Sequence, residues 1–137
     1  RLEHSLEVQL PFLQVCLKAF KLIPLVVGDA AEAEVAEVLG RLWGGKETLI
    51  VVSSDLSHYL HQDEARLLDE ATCCAIEELR PEDIGHEQAC GSLPIKGLLR
   101  KARDLRLKVV TLDLRNSGDT AGPRDQVVGY GSYAFYE

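Results

Sequence analysis

The sequence contains no methionine, not even at position 1, and only 6% of its 137 residues are aromatic. It opens on Arg1-Leu2-Glu3-His4, already inside patterned sequence, so the expectation is a processed chain or a piece of a longer polypeptide. Cysteine is sparse. Cys16, Cys73, Cys74 and Cys90 form no C-x-x-C pair and no disulfide framework. A chain this long buries a core without covalent staples, so reduced thiols are expected. Long apolar runs are missing too. The longest, Leu22 to Val27, is strand-sized, against the roughly 18–20 residues that cross a bilayer. No membrane span is therefore expected, and with no charged-then-apolar segment in view that could serve as a leader, the cytoplasm is the expected compartment. Positive charge is also in deficit: 15 Lys plus Arg face 22 Asp plus Glu, for a net charge of −7. Without a basic excess to neutralise phosphates, nucleic acid is excluded as a partner.

What is present is ordinary for one folded domain spanning residues 1–137: 46% hydrophobic and 27% charged residues. In Ala30 to Trp43, the residues Val35, Val38, Leu39, Leu42 and Trp43 fall on one helical stripe, ended by Gly44-Gly45. A second helix is predicted over Gln62 to Leu79, with Leu67, Leu68, Ala71, Ala75 and Leu79 inward and Pro81 beyond its end. A third covers Pro94 to Leu105, with proline in its first turn. An N-terminal helical stretch, Leu6 to Phe20, is interrupted or restarted at Pro11. Between these lie apolar runs at Leu22–Val27, Thr48–Val52, Leu107–Leu114 and Val127–Tyr136.

The first two runs are continuous, as suits strands covered on both faces, and Ala30–Trp43 is long enough to cross between parallel neighbours. The last run alternates, as an antiparallel or edge strand does. The expected class is α/β, a mostly parallel sheet with helices on both faces.

Three partial motifs invite over-reading. Gly40-x-x-x-x-Gly45-Lys46 has Glu47 where a phosphate loop needs Ser or Thr, and it follows a helix instead of opening one. Gly129-x-Gly131-x-x-Ala134 has three residues after it, too few for a dinucleotide-binding helix, so its glycines relieve crowding in a strand. His86-x-x-x-Cys90 has ligand spacing only on a helix, and Gly85 and Gly91 flank it.

The strongest signal is Leu49-Ile50-Val51-Val52-Ser53-Ser54-Asp55-Leu56-Ser57-His58, an apolar run ending in a polar cluster. In open α/β sheets ligands bind at strand C-terminal ends. Asp55 and His58 are spaced so that the carboxylate can accept from the imidazole, which fixes its tautomer and makes the other nitrogen a better base. The same Ser and Asp residues also suit a helix N-cap. His4 lies beside Ser5, itself placed to cap a helix, and a solvated His4 fits equally. Cys90 precedes Gly91 and a helix start, where the dipole favours the thiolate that ligates metals; a buried, inert thiol fits as well.

Taken together, E-H-S-x-E-x-x-L-P-F at Glu3 to Phe12, V-V-S-S-D-x-S-H at Val51 to His58 and C-G-x-x-P-I at Cys90 to Ile95 resemble the Memo family, whose fold is similar to that of class III extradiol dioxygenases. The resemblance covers all 137 residues and places them as the C-terminal half of such a protein, an incomplete domain. It implies a metal pocket with Cys90 as ligand, His58 and Asp55 as the catalytic acid/base pair, and His4 lining the same pocket. Two further histidine ligands of the family lie in a half that these residues do not include.

The implied function is a metal-dependent, dioxygenase-type oxidoreductase using iron, with copper or zinc as alternatives bound weakly by this chain alone. A thiolate where dioxygenases carry a carboxylate moves the site away from purely hard-ligand metals. The competing reading is a non-enzymatic scaffold that takes a small molecule or peptide. Homo-oligomerisation through an exposed sheet edge is the further partner expectation.

Overall fold

The computed structural model describes residues 4–137, so Glu3, which opens the first motif, lies outside the described residues. Helix α1 (Leu10–Cys16) begins with Pro11 in its first turn, and α2 spans Glu32–Leu42. Strand β1 (His58–Leu60) leads directly into α3 (Gln62–Glu77). Helix α4 (Ser92–Asp104) follows, then β2 (Lys108–Asn116) and β3 (Val127–Tyr136). Short 3-10 turns lie at Pro81–Asp83 and Ser117–Asp119.

The N-terminal helix is shorter than predicted. Residues 5–9 form turns, and Gln9, not Ser5, occupies the cap position of the helix, without a side-chain bond. Proline fits this first turn because its missing N–H would have had no partner there. The polar run Ser53 to Asp55 caps no helix either. His61 caps α3, its ring accepting from the Asp63 N–H at 3.5 Å.

The sheet is mixed into an α/β fold but is not parallel. Its order is β1-β3-β2, and β3 pairs antiparallel with both neighbours. The final strand therefore occupies the centre instead of an edge. The expected parallel pair, Leu22–Val27 and Thr48–Val52, forms no strand ladder among the described residues. One cause is local: Pro24 sits inside the first run, has no N–H to give a ladder, and does not belong in a central strand. The other is cover. Val27, Ile50 and Val52 pack on a cluster of Val35, Leu39 and Leu98, whereas Ile23, Val26, Leu49 and Val51 face outward with 48–67% of their surface exposed. These runs are covered on one side only.

Helices on both faces are likewise not formed by the described residues. Val109, Tyr133 and Phe135 of the sheet meet Ala75 and Ile76 of α3 together with Ile95 and Leu99 of α4, all in one cluster. Val110 and Leu112 remain 39% and 65% exposed. Helix α2 stacks on α4 beyond that layer, and Phe135 and Val52 reach both clusters.

Helix α3 has its own surprise. Its buried residues are Gln62, Ala65, Asp69, Thr72, Ala75 and Ile76, while the predicted inward Leu67 is 71% exposed. Half of that buried stripe is polar and hydrogen-bonded. Gln62 Nε2 donates to Asn116 Oδ1 at 3.1 Å, Thr72 Oγ1 donates to the Leu68 carbonyl at 2.9 Å, and Asp69 Oδ1 accepts from the Ser57 N–H at 3.0 Å. Satisfied polar groups can occupy a core at little net cost, which a search for apolar periodicity does not register.

Candidate functional site

The Val51–His58 segment enters from the α2–α4 side and runs into β1 beside the central strand. Leu56 N–H donates to the Gly129 carbonyl at 2.9 Å, and Gly129 N–H donates to the Ser57 carbonyl at 2.8 Å. These bonds continue the β1–β3 pairing backwards through the motif, so Leu56 and Ser57 are buried while Asp55 and His58 stay half-exposed on either side. His58 Nε2 stands 3.6 Å from Asp55 Oδ2. That is ion-pair range, longer than a direct hydrogen bond, so the expected tautomer-fixing bond would need a small closure.

Next in the chain, Tyr59 adopts φ 58°, and the β1–β3 register slips between His58 and Leu60. This left-handed bulge leaves the Tyr59 side chain 72% exposed, its ring centroid 5.8 Å from that of His58. A non-glycine residue in this conformation costs about 1–2 kcal/mol, and bulges of this kind commonly re-aim side chains beside functional sites. Tyr130 also stands by Asp55: burial first, and then the Asp55 charge, push its phenol above the ordinary tyrosine range.

Cys90 joins this cluster from the other side. It is exposed and lies one residue before Gly91, which caps α4. Its Sγ is 3.5 Å from Ser54 Oγ and 3.8 Å from the Asp55 carbonyl oxygen. Ser54 Oγ also accepts from the Gly91 N–H at 2.9 Å and donates to the Asp55 carbonyl at 2.7 Å. The structure thus brings Cys90, Asp55 and His58 to one loop cluster although 35 residues separate Cys90 from Asp55.

His4 is exposed, and its Nδ1 lies 2.5 Å from Glu7 Oε1 within its own turn. That hydrogen bond holds the Glu7 carboxyl below its usual range. From this segment it is Gln9 that reaches the cluster, its Nε2 donating to Ser53 Oγ at 2.9 Å. Gln9, Ser54, Tyr130 and Asp69 were all missed by reading the sequence. Only Ser54 had a signal, as a presumed helix cap.

A stable metal site generally takes three or four protein ligands. Among the described residues no three His, Cys, Asp or Glu side chains are grouped closely enough to hold an ion. Cys90 offers one soft donor, and the cluster as it stands does not complete a coordination sphere. The decoy glycines have a structural role: at both Gly129 and Gly131 an added Cβ would collide, with the Asp69 carboxylate and the Tyr133 ring respectively. No helix among the described residues is long and apolar enough to cross a membrane.

The sequence profile described as Memo-like protein matches residues 1–134. A MEMO1 family protein of Aquifex aeolicus is 42% identical over 140 residues, an alignment covering 93% of this chain and 52% of that protein. A MEMO1 family protein of Archaeoglobus fulgidus is 36% identical over 148 residues, covering 98% of this chain and 56% of the relative. In the MEMO1 family protein of Sulfolobus acidocaldarius the identity is 36% over 145 residues, with 97% and 51% covered. The chain spans about half the length of these curated relatives. With its motifs, its α/β fold and these matches in agreement, the chain belongs to the Memo-like family.

Proposed function

We propose that the turn from Ser53 to His58, together with Cys90, is the working pocket of a metal-dependent oxidoreductase of the dioxygenase type. The observation that carries this reading is the meeting of Cys90 Sγ with the Asp55 backbone, next to an Asp55–His58 pair 3.6 Å apart. His58 is the proton-transfer group and Asp55 the carboxylate that orients it. Cys90 supplies one thiolate, which suits iron, copper or zinc. A bound metal would supply Lewis acidity and a place for oxygen, and it would need ligands beyond those grouped among the described residues. His4, which the resemblance assigns to the same pocket, is on the segment whose Gln9 touches Ser53.

The test is oxygen uptake with catechols, run beside metal analysis, on a chain extended to the length of its relatives. Iron-dependent uptake, lost in His58→Gln, with metal content lost in Cys90→Ser, is the expected result. Stoichiometric iron without oxygen uptake, and unchanged in Cys90→Ser, overturns the reading.

A second reading, a scaffold that binds a peptide or small molecule without turnover, is favoured by one observation. Phe12 and Val15 of α1 are 71% and 88% exposed on the helix that Gln9 ties to the pocket. Apolar side chains beside convergent polar groups are what such a binding surface requires.

A further inference from the structure

Asp69 is the buried titratable residue that the proposed chemistry does not use. It is 3% exposed, it projects from the middle of α3, and its Oδ1 accepts from the Ser57 N–H at 3.0 Å. Ser57 is the residue immediately before His58. The peptide units around Leu56 and Ser57 are held by three bonds: Leu56 N–H to the Gly129 carbonyl, Gly129 N–H to the Ser57 carbonyl, and Ser57 N–H to Asp69. The first two come from the central strand and the third from a helix, so the segment is fixed from two elements.

Gly129 makes the third bond possible. It is buried in β3, and a Cβ added there would fall on the Asp69 carboxylate. Absence of a side chain lets the helix carboxyl reach across the strand to the Ser57 amide.

We infer that Asp69 is a positioning residue: through Ser57, and across the gap left by Gly129, it fixes where His58 stands relative to Asp55. The inference rests on reading Asp55 and His58 as a working pair. Groups that face His58 are Asp55 from its own loop, the Tyr59 ring, and Asp69 from α3. A side chain that only filled space would not need an acceptor oxygen at this site. A leucine of similar volume, which has no acceptor, would then serve equally, whereas asparagine keeps one.

The experiment follows the His58 ring signals by 15N–1H NMR at one fixed pH, in Asp55→Asn, Asp69→Ala and Asp69→Asn chains. Asp55→Asn defines the signal of an imidazole without its carboxylate partner. Asp69→Ala is expected to move the signal towards that position, and Asp69→Asn, which keeps an acceptor oxygen at the same reach, to restore it. An unmoved signal in Asp69→Ala overturns the inference, as does an Asp69→Asn signal displaced as far as that of Asp69→Ala. Independently of how Asp69→Ala folds, the Ser57 amide of the unaltered chain should exchange at least about tenfold more slowly than an unprotected amide. Unprotected exchange at Ser57 also overturns it. Because these readouts report ring position, a failure of oxygen uptake with ring positions intact would sink the proposed oxidoreductase and leave this inference standing.

Discussion

Ser54 Oγ accepts a hydrogen bond from the Gly91 N–H at 2.9 Å, joining the loop that carries Asp55 to the segment that carries Cys90. One hydroxyl therefore couples two pocket segments 37 residues apart in sequence. It also lies 3.5 Å from Cys90 Sγ and donates to the Asp55 carbonyl. The packing is tight enough that a Cβ on Gly91 would come within 2.8 Å of Ser54 Cβ.

Ser54→Ala removes this joint. It leaves the Gly91 N–H at the start of α4 without its partner, for an expected loss of about 1 kcal/mol in urea denaturation. Alkylation of Cys90, followed by mass spectrometry, should become faster as the thiol is released from Ser54. Alkylation at the unaltered rate, with unaltered stability, would show that the two segments are held together by something other than this bond.

How much of this was legible in the sequence depends on what each element uses for its signal. Strand β3 was predicted over Val127–Tyr136 and is found there, because alternation along ten residues survives whatever covers either face. Helices α2 and α4 were placed to within about two residues at each end by apolar spacing and by glycine or proline at their ends. Helix α3 was found but rotated. Leu67 and Ala71 were assigned inward, whereas Asp69 and Thr72 are the buried neighbours, and their burial depends on Ser57 and on an i−4 carbonyl that no periodicity reveals. The same failure hid Asp69 from the candidate site. Leu22–Val27 misled for a different reason: its hydrophobicity outweighed Pro24, which is incompatible with a central ladder position.

Helix α4 ends in a motif that invites a stabilising substitution. Leu107 N–H donates to the Ala102 carbonyl at 2.9 Å and Arg106 N–H to the Arg103 carbonyl at 3.1 Å, the paired bonds of a Schellman end. Arg106 carries this turn at φ 56°, a left-handed conformation that glycine adopts without strain. Its side chain is exposed. Arg106→Gly is expected to raise stability by about 1 kcal/mol, a shift of several degrees in melting temperature. The matching position at the end of α3, Leu79 at φ 55°, packs against the core, so Leu79→Gly should gain less or lose. A lower melting point for Arg106→Gly would contradict the assignment.

Asp69 gives a stability profile with a definite sign. Burial pushes its carboxyl above the ordinary aspartate range, against the opposing Ser57 hydrogen bond and the His58 charge. The folded chain therefore holds this proton more tightly than the unfolded chain, and stability from this residue falls as pH rises through the interval between the two values. Above the ordinary aspartate range the unfolded chain releases this proton more readily than the folded one, so burial of Asp69 counts against the fold there. Asp69→Asn removes that cost while keeping an acceptor for Ser57. The variant should be the more stable at pH 7, with the difference vanishing below about pH 4, where aspartate is protonated in both states. Denaturation midpoints at the two pH values decide it; a gain confined to acid would reverse the sign and refute the assignment.

The surface around Leu22–Val27 and Leu49–Val51 predicts how the chain behaves in solution. Ile23, Val26 and Leu49 are 66–67% exposed, Val51 is 48% exposed, and Leu112 on the open side of the sheet is 65% exposed. Helices α2 and α4 cover only the opposite side, through Val27, Ile50 and Val52. Exposed apolar side chains in such number drive association unless something covers them, and the backbone of residues 22–27 and 48–52 is unengaged in any ladder among the described residues. We therefore expect light scattering to give a concentration-dependent mass above 15.1 kDa, lowered towards that value by Val51→Lys together with Leu49→Lys. The same 137 residues should bind ferrous iron and zinc only weakly in equilibrium dialysis, because Cys90 lacks the companions that a three- or four-ligand site requires. A monodisperse monomer holding one equivalent of metal would overturn both expectations at once, since it would show the apolar side satisfied and a ligand set closed within this chain.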